Sequence, residues 1–271
     1  MYKRVLTIQD ISCLGQCSLT VALPIISASG NETVILPSAI LSTHTMGFKN
    51  FTCLDLENEM PKIINHWKDE KISFDAVYTG YLGTCKEVDY VLDVFDSLLK
   101  DKGLKIVDPA MADFGKLYPA FNQEYVDAMK RLCSKADIIL PNITEATYLT
   151  GIEYKDKYDE NYIHKLVEEL TKLGSKTVVL TGVSYKEGMT GVLVYDGNYN
   201  YYSHKRIGKD YHGTGDVYSS AFVGHLMNGF SVFESAKKAA DFVVECIEET
   251  MNDKDHTYGV KFEKCLNLLN K

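Results

Sequence analysis

Short apolar runs alternate with helical patterns along most of this chain. Six runs rich in Val, Ile and Leu have the length of strands that are buried on both faces: 4–8, 33–36, 75–78, 104–107, 138–140 and 177–180. Between them, amphipathic patterns predict helices over 19–29, 60–68, 88–100, 125–133 and 163–173, and three of these end at or near Gly30, Gly103 and Gly174. This order predicts an α/β fold with a doubly wound, mainly parallel central sheet and helices on both faces.

The pattern changes towards the C-terminus. Residues 191–195 and 199–203 flank Asp196-Gly197-Asn198, which is typical of a turn between antiparallel strands. They predict an antiparallel hairpin at the edge of the sheet, and two further helices are expected over 214–227 and 232–250. The chain contains no internal repeat, Pro-rich linker or low-complexity tract, so we expect a single domain over residues 1–271.

Composition excludes several classes of protein. A formal net charge of −8 argues against a nonspecific nucleic-acid partner, because such a partner needs a basic surface. No apolar run approaches the ~18 residues of a membrane span, so no membrane partner is expected. The N-terminus passes directly into a strand-like run rather than a signal-peptide core, and a cytoplasmic location is therefore expected. The seven cysteines lack C-x-x-C spacing and indicate neither a disulfide framework nor a zinc site.

The most informative motif is His212-Gly213-Thr214-Gly215-Asp216, which directly precedes a predicted helix. Its glycines allow a tight turn, and a helix start presents free N–H groups and a partial positive charge to an anion such as phosphate. A carboxylate in the first turn would repel phosphate but could accept a proton from an attacking hydroxyl. The motif therefore favours phosphoryl transfer to an alcohol. The alternative is a glycine turn whose acidic residue complements the helix dipole.

Acidic residues follow the run 104–107, at the edge where α/β sheets bind ligands. Asp108 comes directly after this run, and Asp113 lies a few residues further on, in a loop with Gly115. Either carboxylate could contact Mg²⁺ directly or through water. The alternative is that Asp108-Pro109 simply starts a turn.

Asn142 and Glu145 follow the run 138–140 at a spacing that places both on one helix face. They could act at the same edge of the sheet as Asp108. The alternative is a capping box, in which Asn142 and Glu145 satisfy each other's backbone N–H groups and have a purely structural role.

Two aromatic side chains could enclose a flat substrate. His44 lies between hydroxyl residues in 41–47, and Tyr81 follows the third predicted strand in Thr79-Gly80-Tyr81-Leu82-Gly83. Each has a plain alternative, because a lone His is more often packed or solvated, and a Tyr is as often part of the core.

Together these residues resemble the ribokinase-like superfamily, and within it the branch of pyridoxal kinases and hydroxymethylpyrimidine kinases, over about residues 4–262. In that family a G-[TA]-G-D motif supplies the anion hole and the catalytic base, and it matches Gly213, Thr214, Gly215 and Asp216 here. The resemblance implies that Asp108 and Glu145 serve magnesium, and that residues 115–121 form a flap over ATP. It implies nucleotide contacts for Asp113, Tyr118, Asn142, Thr181 and Gly182.

Pyridoxal kinases are the closer match within this branch. The likeness lies in Ile8-Gln9, Ser42-Thr43-His44-Thr45 and Thr79-Gly80-Tyr81. The pyrimidine kinases usually carry a glycine-rich segment near the N-terminus, which is absent here, and often have Cys where Asp216 stands. The resemblance places five residues around the substrate ring: Asp10, Cys17, His44, Thr45 and Tyr81.

The chain also departs from the family pattern. Asp10 stands where pyridoxal kinases often have Ser, and Cys17-Ser18 stand where an apolar residue and Gly are usual. Near the expected metal, Ala110-Met111-Ala112 replaces a more usual turn, and Leu140 stands where Thr is frequent. The first two departures alter the ring pocket, and the others weaken individual metal contacts without removing the carboxylates.

The resemblance implies ATP-dependent, Mg²⁺-dependent phosphorylation of the 5′-hydroxymethyl group of a vitamin B6 vitamer, in the salvage of pyridoxal 5′-phosphate. It also implies a homodimer, and it leaves open a requirement for a monovalent cation such as K⁺. Two alternatives remain. A hydroxymethylpyrimidine kinase of thiamine synthesis would keep the phosphoryl-transfer residues and differ around Asp10, Cys17, His44 and Tyr81. A non-catalytic sensor of B6 or nucleotide would need no base, and an intact Asp216 counts against it.

Overall fold

Strands and helices alternate in the computed structural model, which describes residues 2–208 and 211–270. The strands are β1 (Arg4–Ser12), β2 (Glu32–Leu41), β3 (Cys53–Asp55), β4 (Phe74–Thr79), β5 (Leu99–Val107), β6 (Ala112–Asp113), β7 (Lys116–Leu117), β8 (Ile138–Ile139), β9 (Thr177–Thr181), β10 (Met189–Tyr195) and β11 (Tyr199–Lys205). The helices are α1 (Leu19–Ala28), α2 (Met60–Asp69), α3 (Cys85–Ser97), α4 (Gln123–Cys133), α5 (Ile143–Thr150), α6 (Glu160–Lys172), α7 (Thr214–Met227) and α8 (Val232–Thr250). Two short 3₁₀ turns follow, over 262–264 and 266–270.

Nine strands form one sheet in the order β11-β10-β9-β8-β5-β4-β1-β2-β3. The pairs from β9 through β8, β5, β4 and β1 to β2 are parallel, whereas β10 and β11 extend one edge and β3 the other as antiparallel strands. The predicted mainly parallel sheet with an antiparallel edge hairpin is therefore confirmed. Strands β6 and β7 form a separate two-stranded ribbon.

Each face of the sheet is covered by its own apolar cluster. One cluster joins residues of α2 to α6 to the sheet, and the other joins residues of α1, α7 and α8. Because side chains alternate along a strand, Val77 of β4 contributes to the first cluster, while Ala76 and Tyr78 contribute to the second. Among the described residues, no helix combines the length and the apolarity that a membrane span requires.

Several predicted boundaries differ from the observed ones. The first strand was expected over 4–8 and instead runs to Ser12, so Asp10 lies within β1. The third predicted helix, 88–100, begins at Cys85 because Thr84 caps it by accepting a hydrogen bond from the N–H of Glu87. That helix ends at Ser97, and Gly103 lies inside β5, which begins at Leu99. The strand β3 and the ribbon β6–β7 were not predicted, because two or three residues carry no periodic pattern.

Candidate active site

Loops from three strands meet the start of α7 at one edge of the sheet. Ser219 of α7 donates a hydrogen bond of 2.7 Å to Asp108, which follows β5. After β8, the side-chain amide of Asn142 donates to the carbonyl of Ala112 at 2.8 Å. The N–H of Thr181, at the end of β9, donates to the carbonyl of Pro141 at 2.9 Å. The segments singled out in the sequence are therefore joined through direct hydrogen bonds.

Helix α7 begins at a glycine turn of the predicted kind. Gly213 precedes the helix with a φ of 75°, and a Cβ added to it would lie 1.8 Å from the carbonyl oxygen of Gln16. This position therefore requires glycine for two independent reasons. A Cβ at Gly215 would meet nothing within 4 Å, so the space in front of this residue is open. The first N–H groups of a helix have no acceptor within it, and those of Thr214, Gly215 and Asp216 belong to this first turn.

Asp216 is half-buried at the start of this helix. Its Oδ2 accepts a hydrogen bond of 2.9 Å from the backbone N–H of Ser18, in the loop between β1 and α1. Burial raises the pKa of Asp216 to about 7, the charges of Asp108 and Asp10 add to the increase, and the N–H of Ser18 opposes it. The carboxyl group therefore changes its protonation state near neutral pH, as a general base requires.

Asp108 and Glu145 are buried carboxyl groups whose charges affect each other. Burial raises the pKa of both, and the charge of Asp108 raises that of Glu145 further. Glu145 accepts the N–H of Asn142 at 2.8 Å and that of Met111 at 3.1 Å, while its own N–H donates to Asn142. The capping box considered as an alternative is thus present, and Glu145 has a structural role whatever else it does.

The expected magnesium ligands are hard oxygen donors of the type that this ion prefers. Within residues 2–208 and 211–270, no group of three or more His, Cys, Asp or Glu side chains is placed to hold a metal ion. Asp108 and Glu145 supply oxygen donors of this type, and a site built on them would take its remaining ligands from water and from a bound nucleotide.

The expected nucleotide side is built on short connections. In the β6–β7 ribbon, the N–H of Gly115 donates to the hydroxyl of Thr144 at 3.0 Å, and the N–H of Tyr118 donates to the carbonyl of Met111 at 2.9 Å. Asp113 is partly exposed, and its carboxylate accepts the N–H of Phe114 at 2.8 Å. The predicted flap, residues 115–121, thus begins in this ribbon. Thr181 closes β9, and Gly182 follows it in an exposed position with a φ of 74°.

His44 is buried next to the glycine turn of α7. Its Nδ1 accepts the N–H of Met46 at 3.2 Å, and its ring centroid lies 5.8 Å from that of His212. A Cβ at Gly15 would lie 2.0 Å from the ring of His44, so glycine at 15 makes room for the imidazole. Burial and the neighbouring His212 lower the pKa of His44, which favours the neutral ring. Thr45, the next residue, is exposed.

The remaining ring-side residues lie around Asp10. This carboxylate is buried and accepts the hydroxyls of Ser18 at 2.5 Å and Ser12 at 3.1 Å. Burial raises the pKa of Tyr81 to about 12, with the nearby charge of Asp10 contributing. Cys17 borders the glycine turn, since its Sγ lies 3.1 Å from the position of a Cβ on Gly213. Burial raises the pKa of the Cys17 thiol well above its usual value, which keeps the thiol protonated.

Three residues make contacts in this site that were not predicted from the sequence. Ser18 contacts both Asp10 and Asp216, Ser219 contacts Asp108, and Phe121 lies 5.4 Å from Tyr81 between ring centroids. A weak signal existed for Ser219, which lies one helical turn after Asp216. The contacts of Ser18 and Phe121 depend on long-range packing that no local pattern encodes.

A sequence model of the phosphomethylpyrimidine kinase family matches residues 23–261. The chain belongs to this kinase family. The pyridoxal kinase of Dictyostelium discoideum is 27% identical over 94% of this chain and 88% of its own length. The Lactobacillus plantarum pyridoxal kinase superposes with a TM-score of 0.92 at 30% identity, covering 99% of this chain and 97% of the other. A Bacteroides thetaiotaomicron protein described as a putative phosphomethylpyrimidine kinase, crystallised with pyridoxal, superposes with a TM-score of 0.93 at 34% identity, covering 100% of this chain and 96% of the other.

Membership settles the fold and the general activity. The architecture is the ribokinase-like fold of the pyridoxal kinases, and the protein is a kinase of the family that acts on pyridoxal or on hydroxymethylpyrimidine. The predicted family resemblance is thereby confirmed. The family name and the names of the individual relatives point to different substrates, so the individual roles of the site residues and the identity of the acceptor remain predictions.

Proposed function

We propose that this kinase transfers the γ-phosphoryl group of ATP to the 5′-hydroxymethyl group of a vitamin B6 vitamer: pyridoxal, pyridoxine or pyridoxamine. The observation that carries the proposal is the position of Asp216, in the first turn of a helix that begins at an open glycine turn. With a pKa raised by burial to about 7, Asp216 can accept the proton of the attacking hydroxyl at neutral pH. The N–H groups of residues 213–215 stabilise the charge on the transferred group.

A B6 vitamer is favoured over a pyrimidine by the ring side of the site. Asp10 is linked through Ser18 to Asp216, His44 lies against His212, and Tyr81 lies near Asp10. These are the residues that the resemblance to pyridoxal kinases placed around the ring. The Dictyostelium discoideum and Lactobacillus plantarum relatives are pyridoxal kinases, and the Bacteroides thetaiotaomicron structure contains pyridoxal.

We propose that Asp108 and Glu145 hold magnesium, directly or through water, and that the nucleotide contacts Asp113, Tyr118, Asn142, Thr181 and Gly182. When bound, the ion neutralises part of the negative charge of the phosphates. Ser219 keeps the Asp108 carboxylate in place, and the capping box keeps Glu145 next to the loop after β5. A monovalent cation requirement, part of the same expectation, is tested by comparing rates in K⁺ and in Na⁺.

We also propose that the protein is a homodimer. Ile40 of β2 and Leu54 of β3 are direct cross-strand partners at the edge of the sheet, and Leu54 is 60% exposed. Leu14, Met46 and Phe51 are further exposed apolar residues in the neighbouring loops. A second copy of the chain that covers this edge would remove these side chains and the free strand edge from water.

A coupled assay of ADP release tests the proposed substrate. We expect turnover with pyridoxal, pyridoxine and pyridoxamine, none with a simple sugar, and none with 5-deoxypyridoxal, which lacks the acceptor hydroxyl. A higher kcat/KM for hydroxymethylpyrimidine than for every vitamer would make the protein a pyrimidine kinase, the activity that the matching family model names. Tight vitamer binding without ADP release would favour a sensor.

A further inference from the structure

Ser18 has a backbone conformation that is unusual for a residue with a side chain. Its φ is 54° and its ψ is −134°, close to the first central residue of a type II′ turn, which glycine normally occupies. A non-glycine residue persists in such a conformation only when its surroundings hold it there. The contacts of Ser18 therefore have to counteract the strain at this position.

Every polar group of Ser18 is engaged. Its hydroxyl donates to Asp10 at 2.5 Å, and its carbonyl accepts the N–H groups of Val21 at 3.0 Å and Ala22 at 2.9 Å in the first turn of α1. Its backbone N–H donates to Asp216 at 2.9 Å. The side chain is thus fixed on the ring side of the site, and the N–H is directed at the proposed base.

We propose that Ser18 is a positioning residue for Asp216: its hydroxyl, anchored on Asp10, holds the backbone in a glycine-like conformation that aims the N–H at the carboxylate. This inference rests on the proposed function. Two departures from the family pattern, Asp10 and Ser18, are in direct contact, so they act as one unit. Glycine would adopt this conformation without strain. Serine is held in it by the hydrogen bond from its hydroxyl to Asp10.

The comparison of Ser18→Ala with Ser18→Gly tests this role. Both variants lose the hydroxyl, so both should raise KM for the acceptor. Alanine is strained in this conformation and lacks the anchor on Asp10, so its backbone relaxes and the N–H leaves Asp216, whereas glycine adopts the conformation without strain. We expect kcat of Ser18→Ala to fall at least about tenfold below that of Ser18→Gly, because strain of this kind corresponds to roughly a factor of ten or more. For an ordinary structural serine the order is the reverse, since alanine is the milder substitution.

Two further variants serve as controls. Ser12 donates to the same carboxylate at 3.1 Å but has no contact with Asp216 among the described hydrogen bonds, so Ser12→Ala should lower kcat less than Ser18→Ala does. The double variant Asp10→Ser, Ser18→Gly removes the anchor and the strain together. We expect its kcat/KM to exceed the value obtained by combining the effects of the two single variants.

Urea unfolding of the ligand-free protein gives a readout without activity. Ser18→Gly should unfold at a higher urea concentration than Ser18→Ala, because alanine either keeps the strain or, on relaxing, loses the hydrogen bond to Asp216, whereas glycine does neither. The inference would be overturned if Ser18→Ala equalled or exceeded Ser18→Gly in both kcat and urea midpoint. Failure of this inference can be distinguished from failure of the proposed function. Undiminished turnover of Asp216→Ala would reject Asp216 as the base, but the comparison of the two Ser18 variants in urea would still be valid.

Discussion

Asp216 is the residue on which the proposed chemistry depends. Its replacement by Asn keeps the shape and an acceptor for the N–H of Ser18 but removes the basic carboxylate. We expect kcat to fall by at least about 100-fold, the usual contribution of a general base, with a smaller change in KM for ATP. Steady-state kinetics with a vitamer measures this, and near-normal turnover in a folded variant would reject the role.

The pH dependence of the same residue can be derived from its surroundings. Because burial raises the pKa of Asp216 to about 7, wild-type kcat/KM should rise with pH through about 7 as the base ionises. Between the ordinary pKa of 3.8 and about 7, the carboxyl group ionises in the unfolded chain but stays protonated in the folded one, so stability falls as the pH rises through this range. Asp216→Asn should therefore melt a few degrees above wild type at pH 8 and equal to it near pH 4. A difference in melting temperature that does not change with pH would contradict the raised pKa of Asp216.

The start of α7 shows how one element needs its two glycines for different reasons. Gly213→Ala introduces a side chain at a φ of 75° and 1.8 Å from the carbonyl of Gln16, so we expect a melting temperature at least about 4 °C lower. Gly215→Ala meets nothing within 4 Å, so it should melt close to wild type yet lower kcat by about tenfold or more, because its methyl group narrows the space for the transferred phosphate. Thermal melting and kinetics on both variants distinguish these effects, and equal melting would contradict the clash at Gly213.

Helix α5 carries a carboxylate with a cap role and a proposed metal role. Glu145→Ala removes the bonds to the N–H groups of Asn142 and Met111, so we expect a lower melting temperature by several degrees. If Glu145 also serves magnesium, this variant and Glu145→Gln should both need several-fold more Mg²⁺ for half-maximal rate. Asn122→Ala is a matched control, because it removes a cap on α4. An unchanged Mg²⁺ dependence would leave Glu145 with the capping role only.

At the level of elements, periodic stretches were predictable and contacts between distant segments were not. The helices 214–227 and 232–250 match α7 and α8 to the residue. Gly213 precedes α7 and Asn228-Gly229 follows it, and Ser231 caps the start of α8 by accepting the N–H of Glu234. Strand β3 was not predicted, because its three residues are exposed and form a strand only by pairing with β2. The glycine turn and Asp216 could be located from the sequence. The dihedral angles of Ser18 could not, because they depend on contacts with Asp10 and with Asp216, which lies 198 residues later in the sequence.

The whole molecule is expected to pair through the edge formed by β2 and β3. Light scattering after size exclusion should give about twice the chain mass of 30.5 kDa. Leu54→Lys places a charge at the exposed centre of this edge and should yield the monomer, whereas Met251→Lys, at an exposed site after α8, should not. A monomeric wild type would reject the homodimer. A Leu54→Lys variant that is still a dimer would show that the two copies pair through another surface.

The core beside α1 joins segments that are far apart in the sequence. Val21, Ile25 and Ile26 of α1 share a cluster with α7 and α8, which lie about two hundred residues later. During synthesis, this apolar face therefore leaves the ribosome long before α7 and α8, which complete its cover, emerge. Truncated chains that stop before α7 should accordingly be captured by chaperones or aggregate, and a cell that makes this enzyme has to protect the apolar face of α1 until α7 and α8 have been synthesised.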